Sequence, residues 1–263
     1  MEVYDARWTP SRMSPKQRQV LALLATHVGQ VVPTWSLTRE LWEDNPPQTA
    51  LTTLQTYIGQ LRRVLAAAAG LPLTEITGGV LVTAARGYGL RPTAAEVDAV
   101  EFAALADRGK RAVRAGDDVE GEQLLARALR LWHGSPLVNV VTGPLTSAQV
   151  VKLTECWLST VEHRLVARLR LGDHHSVVGE LREMVALHPL HESLHRGLML
   201  ALYRCGRRAE ALSVFHDLRD RLVAELGLEP SAEVTRLQRA ILAADPALEM
   251  TSPLTDLPTL AAG

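Results

Sequence analysis

The sequence predicts a mainly α-helical chain in two parts: three helices closed by a β-hairpin over roughly the first ninety residues, then an all-α helical repeat. Two observations carry this expectation. In the first part, apolar residues recur at helical spacings of three and four and are followed by two short strand-like runs around 81–83 and 88–91. In the second, glycines that close one helix and open the next recur at Gly116, Gly172 and Gly206, the last two 34 residues apart.

The 263 residues fit about two domains at ~150 residues each. With 22% charged and 47% hydrophobic residues, the composition is that of a soluble globular protein. No apolar run approaches the ~18 residues that would span a membrane. Residues 1–5 have neither the basic region nor the apolar core of a signal peptide, and the two lone cysteines, Cys156 and Cys205, agree with a reducing cytoplasm. The net charge of −1 hides an asymmetry, since residues 1–91 hold nine Arg and Lys against six Asp and Glu, and the remainder nineteen against twenty-three. The basic front end is where a polyanion would bind.

Ser14 and Pro15 ahead of Lys16 mark the first helix, with serine as N-cap and proline at the first helical position. Val20, Leu21, Leu23, Leu24 and Val28 supply its apolar face, and it is expected to end near Gly29. After Val31, Val32 and Pro33, Thr34 is expected to cap a short second helix, joined to the first by a tight turn. Leu37, Leu41 and Trp42 fall on one side of it, and Asn45, Pro46 and Pro47 stop it.

The third helix, about 48–66, carries Leu51, Leu54, Ile58, Leu61 and Leu65 as a buried stripe. Thr49, Thr52, Thr53, Thr56, Gly59, Gln60 and Arg63 face outward, with Gln55 and Arg62 at the margins. A solvated face would carry glutamate and lysine, whereas hydroxyls, amides and arginines without a carboxylate suit phosphate oxygens and base edges. Beyond Gly78 and Gly79, Leu81, Val82 and Thr83 form one arm of the hairpin and Tyr88, Gly89, Leu90 and Arg91 the other, with 84–87 as the turn. A hairpin after a third helix is a wing, and Arg86 at its tip is either a minor-groove or phosphate contact or a solvated turn arginine.

The run Leu41, Trp42, Pro46, Pro47, Thr52 to Ile58, Leu61, Arg62, Arg63, Leu65, then Thr83, Gly87, Tyr88 and Leu90, resembles the OmpR-like winged helix-turn-helix of the Streptomyces antibiotic regulatory protein family. One departure stands out. Only fifteen residues precede Lys16, where family members carry a small N-terminal sheet, so either part of that sheet is expected to be missing or the chain is expected to begin too late.

The chain is helical from Glu96 onward, and three helix pairs plus a final helix near 231–243 are expected. Ala211 and Phe215 stand where a tetratricopeptide repeat needs a small and a large packing residue, and Pro189 ends the unit begun at Gly172. The first pair fits the repeat less well, because Gly116 and Gly172 are 56 residues apart and 134–146 intervenes. This half resembles the bacterial transcriptional activation domain of the same family in residues 124–132, in His188, Pro189 and Leu190, in 198–206 and in 227–230. The expected division is thus a DNA-binding domain at 1–93, a tetratricopeptide-like activation domain at 96–245 and a flexible tail at 246–263.

One enzymatic motif competes. His191, Glu192, Ser193, Leu194 and His195 match H-E-x-x-H, in which two histidines bind zinc and the glutamate activates water. Leu198 and Ala201 stand where the extended motif needs glycine and histidine, no third ligand has a helix-borne spacing, and the segment lies inside the repeat. No Walker-type phosphate loop occurs. The expectation is therefore no catalytic residue, metal or cofactor.

Read together, the residues point to a sequence-specific DNA-binding module fused to a protein-binding or dimerising scaffold. The third helix is expected in the major groove of double-stranded promoter DNA, with Thr49, Thr52, Thr53, Thr56, Gln60, Arg62 and Arg63 meeting bases or phosphates and Arg86 anchoring the wing. A single small domain gains from a second copy, so tandem binding as a homodimer on DNA is expected. The resemblance implies direct-repeat sites beside promoters, recruitment of RNA polymerase holoenzyme, activation of antibiotic or other secondary-metabolite biosynthesis genes, and a cytoplasmic, nucleoid-associated protein. Two other readings stay open: a tetratricopeptide-like protein-binding scaffold with a degenerate DNA-binding domain, and a ligand-controlled repressor.

Overall fold

The computed structural model describes residues 3–4, 9–91 and 97–249. It divides into two compact units, one formed by residues 1–108 and 126–160, the other by 109–125 and 161–263.

In the first unit, α1 (Pro15–Ala25) starts as the sequence dictates: the Ser14 Oγ accepts from the Gln17 amide at 3.3 Å and the Gln17 Oε1 accepts from the Ser14 amide at 2.7 Å. The helix stops at Ala25, four residues short of Gly29, which lies in the following turn at φ 79°. The next segment corrects the expectation. Val31–Pro33 is a strand, β1, and no mere lead-in to α2 (Thr34–Trp42). Pro33 precedes α2 without a side-chain cap, and Thr34 is no cap residue: its amide donates to the Arg86 carbonyl at 2.9 Å and its hydroxyl to the same oxygen at 3.3 Å.

Helix α3 (Ala50–Ala69) ends at Gly70 in the left-handed conformation, and the single turn α4 (Leu73–Glu75) with a wide turn at Ile76–Val80 leads into β2 (Leu81–Ala84) and β3 (Gly87–Leu90). The wing turn is shorter than the sequence suggests, because Ala84 and Gly87 pair and only Ala85 and Arg86 lie between the strands. The sheet is antiparallel in the order β1-β3-β2, with Tyr88 between Val32 and Thr83. A Cβ on Gly87 would lie 2.1 Å from the Val32 carbonyl oxygen, so the sheet closes only around a glycine there. Ahead of α1, Tyr4 bridges Pro10 and the Ser11 amide donates to the Val3 carbonyl at 2.8 Å.

The core of this domain joins Val20, Leu21, Leu23 and Leu24 of α1, Leu37 and Leu41 of α2, and Leu54, Ile58, Leu61 and Leu65 of α3 to Ile76, Leu81 and Leu90. Leu51 does not belong to it. It is 60% exposed, and Ala50, 6% exposed, takes the first position of the buried stripe. The unit is completed by the start of α5 (Asp98–Arg114), the end of α6 (Asp118–Arg130) and the first part of α7 (Pro144–Arg170). Here Trp132 packs between Phe102 and Trp157, with ring centroids 5.4 and 5.8 Å away.

The second unit continues α5, α6 and α7 and adds α8 (His174–Leu187), α9 (Glu192–Arg204), α10 (Arg208–Leu226) and α11 (Ala232–Ala243). Gly116, Gly172 and Gly206 all turn the chain at positive φ between consecutive helices, at α5/α6, α7/α8 and α9/α10. Ala211 and Phe215 are buried, as a tetratricopeptide-like repeat requires. Arg164 and Arg168 of α7 pair with Glu180 of α8 at 3.3 and 2.6 Å. After α11, Pro246–Leu248 forms one further turn, whose Leu248 carbonyl accepts from Arg204 Nε at 3.0 Å. The remainder of the expected tail, 250–263, lies outside the described residues, as does Glu96.

Candidate nucleic-acid interface

Helix α3 carries no acidic residue from Ala50 to Ala69. Its buried stripe turns Thr49, Thr52, Gln55, Thr56 and Arg63 outward as exposed residues, and leaves Thr53, Gly59, Gln60 and Arg62 half-buried. Exposed Leu51 joins this face at its N-terminal end. Sequence reasoning missed it because Ala50 and Leu51 fit the same periodicity.

The side chains differ in how free they are. Thr56 donates back to the Thr52 carbonyl at 3.0 Å, a local bond that fixes its rotamer. Gln60 Oε1 accepts from Gln17 Nε2 of α1 at 2.7 Å, which orients the amide and keeps its own Nε2 turned away from that bond. Arg62 reaches the wing: its Nε donates to the Leu81 carbonyl at 3.0 Å and its Nη2 to the Thr83 hydroxyl at 2.8 Å. It thereby fixes α3 to β2. Among the described residues, the side chains of Arg63 and Arg86 have no hydrogen-bond or ion-pair partner, and both are exposed. The Arg86 carbonyl anchors Thr34, which holds the wing tip to the start of α2 while leaving the guanidinium outside.

The H-E-x-x-H segment is spent on packing. His191 precedes α9 instead of lying within it, and its Nδ1 stands 3.5 Å from Glu162 Oε1. The Glu192 Oε2 accepts from the Ser231 amide at 2.6 Å, ahead of α11. His195 is buried at 3% exposure with its Nδ1 3.2 Å from the His191 carbonyl, and burial pushes its pKa down. No group of three or more His, Cys, Asp or Glu among the described residues is placed to hold a metal ion. Both cysteines are half-buried, and burial pushes the Cys205 thiol up. Among the described residues no helix is long and apolar enough to cross a membrane.

Three helices with an antiparallel wing, an acid-free α3 and an exposed wing-tip arginine make the protein a winged helix-turn-helix DNA-binding regulator. The comparisons agree. The family model for the C-terminal domain of transcriptional regulatory proteins matches residues 9–80, and that for the bacterial transcriptional activator domain matches 97–242. Regulatory protein DnrI of Streptomyces peucetius is 43% identical over 90% of this chain and 88% of its own length. Transcriptional regulator RedD of Streptomyces coelicolor is 34% identical over 91% of this chain and 67% of its own. Regulatory protein AfsR of the same organism is 41% identical, and the chain spans 23% of it. A structure of Mycobacterium tuberculosis EmbR in complex with a low-affinity phosphopeptide superposes with a TM-score of 0.83 at 28% identity, over 91% of this chain and 62% of that one. The chain belongs to the Streptomyces antibiotic regulatory protein family, as a transcriptional regulator with an activator domain.

Proposed function

We propose that the protein is a pathway-specific activator that binds direct repeats beside promoters of a secondary-metabolite gene cluster as a homodimer and recruits RNA polymerase holoenzyme. It acts in the cytoplasm, at the nucleoid. The domain at 1–93 reads DNA and the helical domain at 96–245 joins protomers and meets the polymerase. Thr49, Thr52, Thr53 and Thr56 contact phosphates and base edges in the major groove, Gln60 offers its amide, Arg63 supplies the principal cation, and Arg86 anchors the wing at the neighbouring backbone or minor groove. Arg62 positions the wing through Leu81 and Thr83 and adds charge to the groove margin. The observation that carries this reading is the acid-free face of α3 with Arg63 and Arg86 exposed and unpaired among the described residues.

A genome-wide footprint of the tagged protein, followed by gel-shift titration on the recovered site, tests it. A repeated motif upstream of a biosynthetic cluster is expected, with Arg63→Ala weakening binding by about 1–3 kcal/mol. If Arg63 reads a guanine, the loss is confined to one base position; if it meets phosphate, all sequences weaken alike. A folded chain without enriched sites or salt-sensitive DNA affinity overturns the reading.

A further inference from the structure

Glu40 is an acidic residue on the helix before the recognition helix, and it is only 1% exposed. Burial of a carboxylate is costly unless its oxygens are met by donors. They are met by backbone. Oε1 accepts from the Gly143 amide at 2.8 Å, and Oε2 accepts from the Leu145 amide at 2.9 Å and the Thr146 amide at 3.2 Å. These amides are the free donors at the start of α7, where Pro144 has none to offer.

An N-terminus of this kind is ordinarily capped by the side chain of the residue just before the helix. That residue is Gly143, which has none. A Cβ there would lie 2.2 Å from the Glu40 carbonyl oxygen and 2.8 Å from its carboxyl carbon, so the glycine is required by the close approach of α2. The cap of α7 is thus supplied from 103 residues away, by the DNA-reading domain. The α2 end of the contact is itself braced from α1, since Gln19 Nε2 donates to the Glu40 carbonyl at 2.6 Å and Lys16 Nζ to the Leu41 carbonyl at 2.5 Å. Leu145 packs against the core of the DNA-reading domain beside it.

We propose that Glu40 is a positioning residue for activation: by capping α7 it fixes the first part of the activator domain to the recognition-helix scaffold, so that the start of α7 keeps one orientation on the DNA-reading head. The inference rests on the activator function proposed above. Because α2 packs directly on α3, a helix seated in the groove sets the direction of α7 through this carboxylate. The contact involves no DNA-facing side chain, so DNA affinity of a single head does not depend on it, whereas productive geometry at a promoter does.

The test uses the full chain carrying Glu40→Gln, which keeps the volume but turns an amide toward the three N–H groups. Gly143→Ala is the second variant, wedging the junction from the other side. Circular dichroism melts establish that each variant is folded. NMR hydrogen exchange should then show the amides of Gly143, Leu145 and Thr146 opening about tenfold faster or more, with α3 amides unchanged. In vitro transcription from a two-repeat promoter should fall by about 5- to 150-fold, the span of ordinary coupling energies, while affinity for a single repeat stays within about twofold. Unchanged exchange in both folded variants overturns the cap, and faster exchange with full activation overturns its role in positioning. If the wild-type protein binds no promoter DNA, the activator reading fails on that result, and the exchange data still decide whether Glu40 holds α7.

Discussion

Gly59 sits in the interior of α3, where glycine costs a helix about 1 kcal/mol relative to alanine, yet a Cβ there would meet nothing within 4 Å. Packing in the free protein gives no reason for the glycine, whereas its place on the outward face is where the proposed DNA contact would bring a phosphate or base edge close to the backbone. Gly59→Ala is expected to raise stability by up to ~1 kcal/mol in urea unfolding and to weaken specific DNA binding; unchanged affinity would mean that the backbone there is not approached. A lone glycine in a strongly periodic helix is visible in the sequence, and so is most of this face, because threonines, glutamine and arginine opposite a leucine stripe need only the helical period. Residues whose fate depends on distant partners were not visible in it. Arg62 reads as a groove cation but bonds to β2 nineteen residues on, and Leu51 and Ala50 fit one stripe equally well until the surrounding packing buries the smaller.

Elements follow the same division between local and distant causes. The capping box of α1, the wing hairpin and the glycine-closed helix pairs are written in neighbouring residues and are legible. Strand β1 is not, since three residues ending in proline become a strand only through pairing with β3, where Val32 faces Tyr88. The α8–α9 region carries a prediction of its own. Burial depresses the pKa of His195 below its ordinary 6.5, with Arg221 and His191 adding to the fall and the His191 carbonyl and Asp217 opposing it. Burial likewise depresses His174, with Arg204 and His175 adding and Asp173 opposing. Below about pH 6.5 the unfolded chain therefore takes up protons that the folded chain refuses, and stability falls as the pH drops. Urea midpoints should decline between about pH 7.5 and 5.5, with a shallower decline in His195→Leu. A profile flat over that interval sinks the prediction. The carboxylates lowered by arginine neighbours, Glu210 beside Arg207 and Glu229 beside Arg219, act only in the more acid range.

For the whole molecule, affinity for DNA should fall with salt in proportion to the phosphates neutralised, by ~0.9 per contact on a double-logarithmic plot. A two-repeat site should give about twice the slope of a single repeat, and Arg86→Ala should lower it by about one per head if the wing meets phosphate. Equal slopes for one and two repeats would argue against tandem binding. The two-part organisation was legible because each part has its own periodicity, but the joint was not: a single glutamate on a short helix reads as a solvated residue until the chain returns a hundred residues later with three bare amides. The carboxylate in that joint is addressed to main-chain amides, which every sequence offers, while the Leu145 side chain beside them packs on the core of the DNA-reading domain. Recognition heads carrying an acid at the equivalent of Glu40 should therefore be exchangeable between activator bodies whose counterpart of α7 opens with glycine and proline and carries an apolar residue at the next position, so the graft point for chimeric regulators is a short run of positions.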